Sequence, residues 1–533
     1  MEKKINSLGV MLDCSRNAVM TVEQLKKFMS LLATMGYNRF MLYTEDTYEV
    51  EGEEFFGYFR GRYSLNELKE LDDFASSHGI ELIPCIQTLA HLKTLIRWKK
   101  YSEFKDCDDI LLVGDERTYK LINNMFKTLR SCFKTDKIHI GMDEAHNLGK
   151  GKYRDINGEK DKTEILLEHL GKVCQISADY GFKPMMWSDM FYRIAAGGEY
   201  YATDTEFDSQ IKSKIPSGLT LVYWDYYHIE KELYDKMLSG HKQLTDDIAF
   251  AGGGWKWSGW TPHNTLSIMA TKMALSSCIQ SGVKDAFITL WGDDGSEGSA
   301  YAMLPTLCVA ACIAQGITDE KEIKDRFFMW TGADYDTFML LDLPDYQEGV
   351  NPDYVINPSK YQLYNDCFMG IYDNGGVCEG DGENYRHIAE KLKENINKTG
   401  NYRYLFDTII ALCDVLAIKA EIGIRTRKTY KDNNFEEIKK IIAEYEIMIK
   451  NTERLYEIFE KQWFEENKGQ GFEVQDIRFG GLIARMKSCK NRLVKFSKGE
   501  ITRIEELDEE PLPLIEKKEL INVWKDTVTA NVL

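Results

Sequence analysis

The sequence predicts an α/β protein: a (β/α)8 TIM barrel over residues 1–318, followed by a mainly α-helical domain over 319–533. Three observations carry this. Eight short β-prone runs alternate with helical segments over the first 300 residues, and the runs are nearly continuously apolar, as parallel strands buried on both faces are. Strand candidates nearly vanish beyond about residue 319, where long charged amphipathic stretches take over. An open doubly wound sheet is the rival, but LDCSRN after the first run offers no Gly-rich phosphate turn.

The eight runs, in order, are LGVMLDC (8–14), RFMLYTED (39–46), ELIPCIQ (81–87) and KIHIGMDE (137–144), then KPMMWSDM (183–190), LTLVYWDY (219–226), DIAFAGGG (247–254) and DAFITLWGDD (285–294). Between the first two, TVEQLKKFMSLLATMG places Val22, Leu25, Phe28, Met29 and Leu32 on one helical face. SLNELKELDDFASSHG follows the second run, with Ser64 as N-cap and Gly79 past the C-terminus. NTLSIMATKMALSSCIQSG, before the eighth, ends in the same punctuation. In the second domain, NFEEIKKIIAEYEIMIKNTERLYEIFEKQWF spaces Phe435, Ile438, Ile442, Tyr445, Ile449, Leu455 and Phe459 at helical intervals. The aromatic-rich stretch 351–370 reads as the link between domains.

With 533 residues, of which 44% are hydrophobic, the chain can bury a large core. A formal charge of −18 argues against nucleic acid as partner, because phosphate binding needs a basic face. The N-terminus has only a five-residue apolar run before Asp13, and no segment reaches eighteen uninterrupted apolar residues. No signal peptide or membrane span is therefore expected. The twelve cysteines show no CxxC or metal-finger spacing and read as reduced thiols of a cytoplasmic protein. Asn397-Lys398-Thr399 fits a glycosylation sequon that would be silent there. No cofactor or metal is expected, since no His-x-His or HExxH spacing accompanies the acids. The helical domain is a candidate homodimer surface.

Barrel sites form where strands end at their C-termini, and the unusual residues of this chain gather there. They are Asp13 and Arg16 after run one, Glu45 and Asp46 after two, His91 after three, and Asp143 and Glu144 after four. Trp187 and Asp189 end run five, Tyr223, Trp224 and Asp225 run six, and Trp291, Asp293 and Asp294 run eight. Run seven leads into GGGWKWSGW. Aromatic faces and carboxylates around one rim suit a sugar: rings stack on its C–H surfaces, and carboxylates and Arg bind its hydroxyls. Each residue also has a plainer role. A helix N-cap is an equal alternative for Asp13 or Asp189, His139 inside run four reads as a scaffold histidine, and Trp187 alone reads as core. Two adjacent acids at one strand end are harder to explain structurally. Their environments can separate two pKa values, so that one holds a proton while the other holds charge.

Together these residues resemble glycoside hydrolase family 20, the β-N-acetylhexosaminidases, of the bacterial type with a C-terminal helical region. The match centres on His-x-Gly-x-Asp-Glu, here His139, Gly141, Asp143 and Glu144. The resemblance implies exo-cleavage of terminal β-linked GlcNAc or GalNAc with retention, without an enzyme nucleophile, a known exception to the two-carboxylate scheme. It implies Glu144 as general acid then base, Asp143 as the group that orients the substrate acetamide and stabilises its charge, and Tyr223 as donor to the acetamide oxygen. Arg16 resembles the arginine that holds the sugar hydroxyls, and Asp46 and His91 resemble a pair supporting the acid. Trp187, Trp224 and Trp291 resemble the aromatic walls, with Asp225 and Asp293 as further substrate-binding carboxylates. Where many members carry Trp-x-Glu, this chain has Trp291-Gly292-Asp293, and with the first strand run at 8–14 no extra α/β domain of the kind found before the barrel in many members is expected. A non-catalytic glycan-binding barrel, and a glycosidase with an enzyme nucleophile such as Asp225 or Asp293, are the rival readings.

Overall fold

A computed structural model describes residues 4–207, 209–346, 356–514 and 523–532. Eight parallel strands, β1 (Ser7–Asp13), β2 (Arg39–Tyr43), β3 (Glu81–Cys85), β4 (Lys137–His139), β5 (Lys183–Trp187), β6 (Thr220–Asp225), β7 (Ile248–Gly253) and β8 (Asp285–Leu290), close in sequence order, β8 pairing with β1. The predicted barrel is therefore observed. The first helix, Val22–Met35, is capped by the Thr21 hydroxyl and stopped by Gly36 at φ 100°. Leu65–Ser77 starts with a reciprocal capping box between Ser64 and Glu67.

Several strands end earlier than the apolar runs suggest, β4 most of all. Its run was expected to reach residue 144, but the extended stretch stops at His139 because Gly141, Met142 and Glu144 all adopt positive φ (72°, 70° and 51°). The acidic pair thus lies on a turn beyond the strand. Gly141 is required there: a Cβ would fall 2.0 Å from Gln87 Oε1.

Register fixes which side chains fill the barrel. Trp187 meets His139 of β4 (ring centroids 4.4 Å) and Phe287 of β8 (6.0 Å) across the interior. Parallel pairing carries that inner face from Trp187 to Val222, and from Phe287 through Ala251 to Trp224. Trp224 therefore faces in, while Tyr223 and Asp225 face out. At the N-terminal end, Arg39 pairs with Glu81 (3.1 Å) and Asp285, and Lys137 with Glu81 (3.0 Å), closing the barrel opposite the strand ends that carry the acids.

The chain forms two compact units. One comprises residues 1–254, 267–290 and 306–323; the other comprises 255–266, 291–305 and 324–533. The second includes the segments after β7 and β8 and the long helices Arg403–Lys431, Phe435–Glu466 and Phe472–Ser497. Within it, Trp260 packs on Phe459 (4.8 Å) and Phe479 (5.8 Å). Buried Lys360 pairs with Asp294 and Glu297 (both 2.8 Å), and Arg478 grips the same carboxylates (2.8 and 2.7 Å). These cations neutralise a tight turn in which Asp294, Gly295 and Ser296 all have positive φ. Of the 351–370 stretch, Pro358–Tyr364 forms a helix, and residues 351–355 lie outside the described residues.

Candidate active site

The first unit brings Asp143 and Glu144 into opposite surroundings. The Asp143 carboxylate accepts a hydrogen bond from Gln87 Nε2 (2.7 Å, Oδ1) and faces His91 Nε2 at 3.1 Å (Oδ2). Burial alone would raise its pKa, but the His91 charge and these hydrogen bonds hold it below the usual carboxylate range. Burial likewise opposes a charged His91. Asp143 overrides it, with help from Glu45 and against Arg16, and lifts the imidazole to about 9. The pair is thus an imidazolium–carboxylate. Each Asp143 oxygen retains a lone pair for a further donor.

Glu144 is the open member, with 40% of its side chain exposed. Its left-handed backbone is held from beneath, where its N–H donates to Asp189 Oδ2 (3.1 Å), an atom that also accepts from Arg193 Nε (3.1 Å). Its carboxylate lies 3.7 Å from both His91 Nε2 and Arg193 Nη2. Asp189 is fully buried, and burial followed by the Asp143 charge raises its pKa. His139 is also fully buried, which lowers its pKa to about 3, and its Nδ1 accepts the Gly141 N–H (3.1 Å). It is a scaffold for the turn.

One wall is polar. Arg16 lies between Asp13 (3.3 Å) and Glu45 (3.4 Å), over the Tyr43 ring at 5.1 Å. Tyr43 donates to Glu45 (3.1 Å) and accepts from Gln87 Nε2 (3.0 Å), linking this wall to Asp143. Burial raises Glu45 to about 7, against the Arg16 charge. The facing wall is aromatic: Trp187 inside, then Trp224 against Tyr200 (4.7 Å) and stacked on Tyr226 (5.2 Å).

Not every expected residue joins this group. Tyr223 turns outward, its hydroxyl donating to Asp225 (2.9 Å) and its ring packing on His241 (4.9 Å) and Tyr234 (6.4 Å) of the helix Lys231–His241. Asp225 also faces outward, onto His228 Nδ1 (2.9 Å). Asp46 is taken by Arg60 (3.1 Å), while His91 lies on Asp143. Trp291 and Asp293 directly follow the C-terminal end of β8 and remain expected rim residues. Gln87, Tyr43, Arg193, Tyr200 and Tyr226 escaped sequence reasoning. Gln87, Tyr43 and Tyr226 lie inside the apolar runs 81–87, 39–46 and 219–226, but only strand register shows which way such residues point.

A closed parallel barrel with an Asp–Glu pair on the turn after β4 defines a class, and sequence comparison gives it a family. Residues 44–245 match the glycosyl hydrolase family 20 catalytic domain, and residues 336–523 match the Glycoside Hydrolase 20C C-terminal domain. The chain belongs to glycoside hydrolase family 20. It is similar to Hexosaminidase D of Bos taurus (24% identical over 243 residues, 44% of this chain and 65% of the relative) and of Homo sapiens (24% over 247 residues, 43% and 48%). The chain therefore spans about half to two thirds of the length of these curated relatives. A GH20 exo β-N-acetylglucosaminidase from Vibrio harveyi, solved with N-acetylglucosamine, is 15% identical with a TM-score of 0.47, over 62% of this chain and 59% of that one. Among the described residues no group of three or more potential metal ligands occurs, and no helix is long and apolar enough to cross a membrane.

Proposed function

We propose that this protein is an exo-acting β-N-acetylhexosaminidase that removes terminal β-linked GlcNAc or GalNAc with retention, through participation of the substrate's own acetamide. The observation that carries the reading is the division of labour between the adjacent acids: Asp143 is fixed as an anion by His91 and Gln87, and Glu144 is open, with its backbone clamped by Asp189. An anion that keeps acceptor capacity suits the acetamide N–H and the positive charge that grows there as the acetamide oxygen attacks the anomeric carbon. Glu144 then gives its proton to the departing glycosidic oxygen. In the second half it takes one from the water that opens the cyclic intermediate.

General acid catalysis contributes about 10²–10⁴-fold. A positioned internal nucleophile can reach effective molarities on the order of 10⁵–10⁸ M, so acetamide participation is the larger effect. A glycosidase using Asp225 as nucleophile is disfavoured, because that carboxylate faces outward and is engaged by Tyr223 and His228. Arg16 is proposed to hold the sugar hydroxyls, with Trp187 and Trp224 as walls. A terminal β-HexNAc oligosaccharide in the cytoplasm is the proposed substrate and setting.

The test compares aryl β-GlcNAc, aryl β-GalNAc and aryl β-glucoside with wild type, Glu144→Gln and Asp143→Asn. The expected result is cleavage of an acetamido sugar, almost none of the glucoside, and turnover at least 100-fold lower in both variants, in line with the general-acid range. Equal cleavage of glucoside would point to an enzyme nucleophile. Binding without cleavage of any of them would favour a glycan-binding protein.

A further inference from the structure

His91 and Glu144, whose side chains come within 3.7 Å of each other, share an unusual backbone. Both are left-handed, at φ 58° and 51°, a conformation that a residue with a Cβ keeps only where its surroundings hold it. Asp189 holds the Glu144 N–H. Asp109 does the same for His91, its Oδ2 accepting the backbone N–H at 3.1 Å.

Asp109 belongs to a run, residues 106–109, that grips two loops at once. On one side the Leu92 N–H donates to the Asp109 carbonyl (3.3 Å) and the Leu111 N–H to the Leu89 carbonyl (2.9 Å), which ties down the segment after β3. On the other side the run holds the loop just beyond Glu144. Buried Asp106 accepts from the N–H groups of Gly149 (Oδ2, 2.8 Å) and Tyr153 (Oδ1, 2.8 Å), and its carbonyl accepts the Lys152 N–H (3.1 Å). Cys107 Sγ donates to the Asn147 carbonyl (3.2 Å), and Asn147 Nδ2 donates to Asp108 (2.8 Å). The approach is close: a Cβ on Gly151 would fall 2.3 Å from the Asp106 carbonyl oxygen. Every side chain of the run is thus bonded to one loop or the other.

We propose that the run 106–109 is a brace that fixes how closely His91 approaches the acidic pair. Asp109 is the positioning residue for His91, and Asp106 is the positioning residue for the loop that leads on from Glu144. The proposal rests on the hexosaminidase reading above for the roles of Asp143 and Glu144. Asp143 and Glu144 face the imidazole from the turn after β4, Glu45 from the segment after β2 and Arg16 from the segment after β1. Asp109 bonds the His91 backbone, not its ring. Without that bond the left-handed residue relaxes and the ring leaves Asp143, the carboxylate that keeps the imidazole charged.

The experiment uses the full chain with aryl β-GlcNAc and aryl β-GalNAc. The charge on His91 is followed through the Cε1–H NMR signal of isotope-labelled histidine, assigned by its absence from His91→Gln. In Asp109→Ala, kcat should fall roughly tenfold with KM little changed. The His91 midpoint should drop from about 9 toward its ordinary 6.5. Asp109→Asn keeps an acceptor for the N–H and should recover both. A wild-type His91 titration in Asp109→Ala, or an Asp109→Asn variant as impaired as Asp109→Ala, overturns the brace and leaves the hexosaminidase reading intact. Asp106→Asn sets an amide N–H against one of two backbone donors and so tests the other arm without touching Asp109. Its kcat should fall roughly tenfold while His91 still titrates near pH 9, and an unchanged kcat also overturns the brace. A wild type that cleaves neither aryl sugar overturns the hexosaminidase reading, and the His91 titrations then decide the brace by themselves.

Discussion

Replacing His91 with glutamine tests the electrostatic core of the site. The imidazole is 19% exposed and lies 3.1 Å from Asp143. Its rise from 6.5 to about 9 corresponds to about 3 kcal/mol of preference for the protonated form. That energy belongs to the pair, so the lowering of Asp143 is not added to it. Between pH 6.5 and 9 the native protein binds a proton that the unfolded chain has released, so stability falls as pH rises through this window and is fully present below it. Urea unfolding of wild type and His91→Gln at pH 6, 8 and 10 measures this directly. The wild-type advantage should be about 2–3 kcal/mol at pH 6 and close to zero at pH 10. The same titration should appear as an alkaline limb of kcat/KM near pH 9 that the variant lacks, because Asp143 loses its cation there. A stability difference that stays constant from pH 6 to 10 would refute the charged pair.

Two further predictions concern residues that act through others. Asp189→Ala removes the acceptor of the Glu144 N–H; leaving a buried donor unpaired costs roughly 1–3 kcal/mol, so kcat should fall about tenfold while KM changes little. Asp189→Asn, which keeps a carbonyl acceptor, should recover much of the rate, and equal loss in both variants would count against a positioning role. Arg478→Met leaves half-buried Asp294 and buried Glu297 sharing Lys360 and should cost about 3–5 kcal/mol in urea titrations followed by helix circular dichroism. Adding Glu297→Gln to that variant should return part of the loss, and additive losses would show that the charges are not coupled.

The barrel was legible because each unit carries its own local signals. The Ser64 capping box and the glycines at 36 and 79 are readable without any tertiary contact, and both helices end where those residues dictate. The adjacent acids were legible for a related reason: two neighbouring carboxylates after an apolar run conflict with burial, so they mark a site. Side-chain direction was not. Strands of a parallel barrel are covered on both faces, which erases the alternation that would have shown Tyr223 facing out and Trp224 facing in. Only pairing of Trp224 with Ala251, and of Ala251 with Phe287, decides it.

The sequence by itself therefore determined the eightfold alternation, the change to helices, and the identity of the acidic pair, because these depend on local propensity and composition. The tertiary structure decided which acid is held as an anion and which stays open. That difference arises from His91, Gln87 and Asp189, brought from the segments after β3 and β5 to a turn after β4. Residues far apart in the chain set the local field and the desolvation, and no spacing in the sequence encodes either quantity.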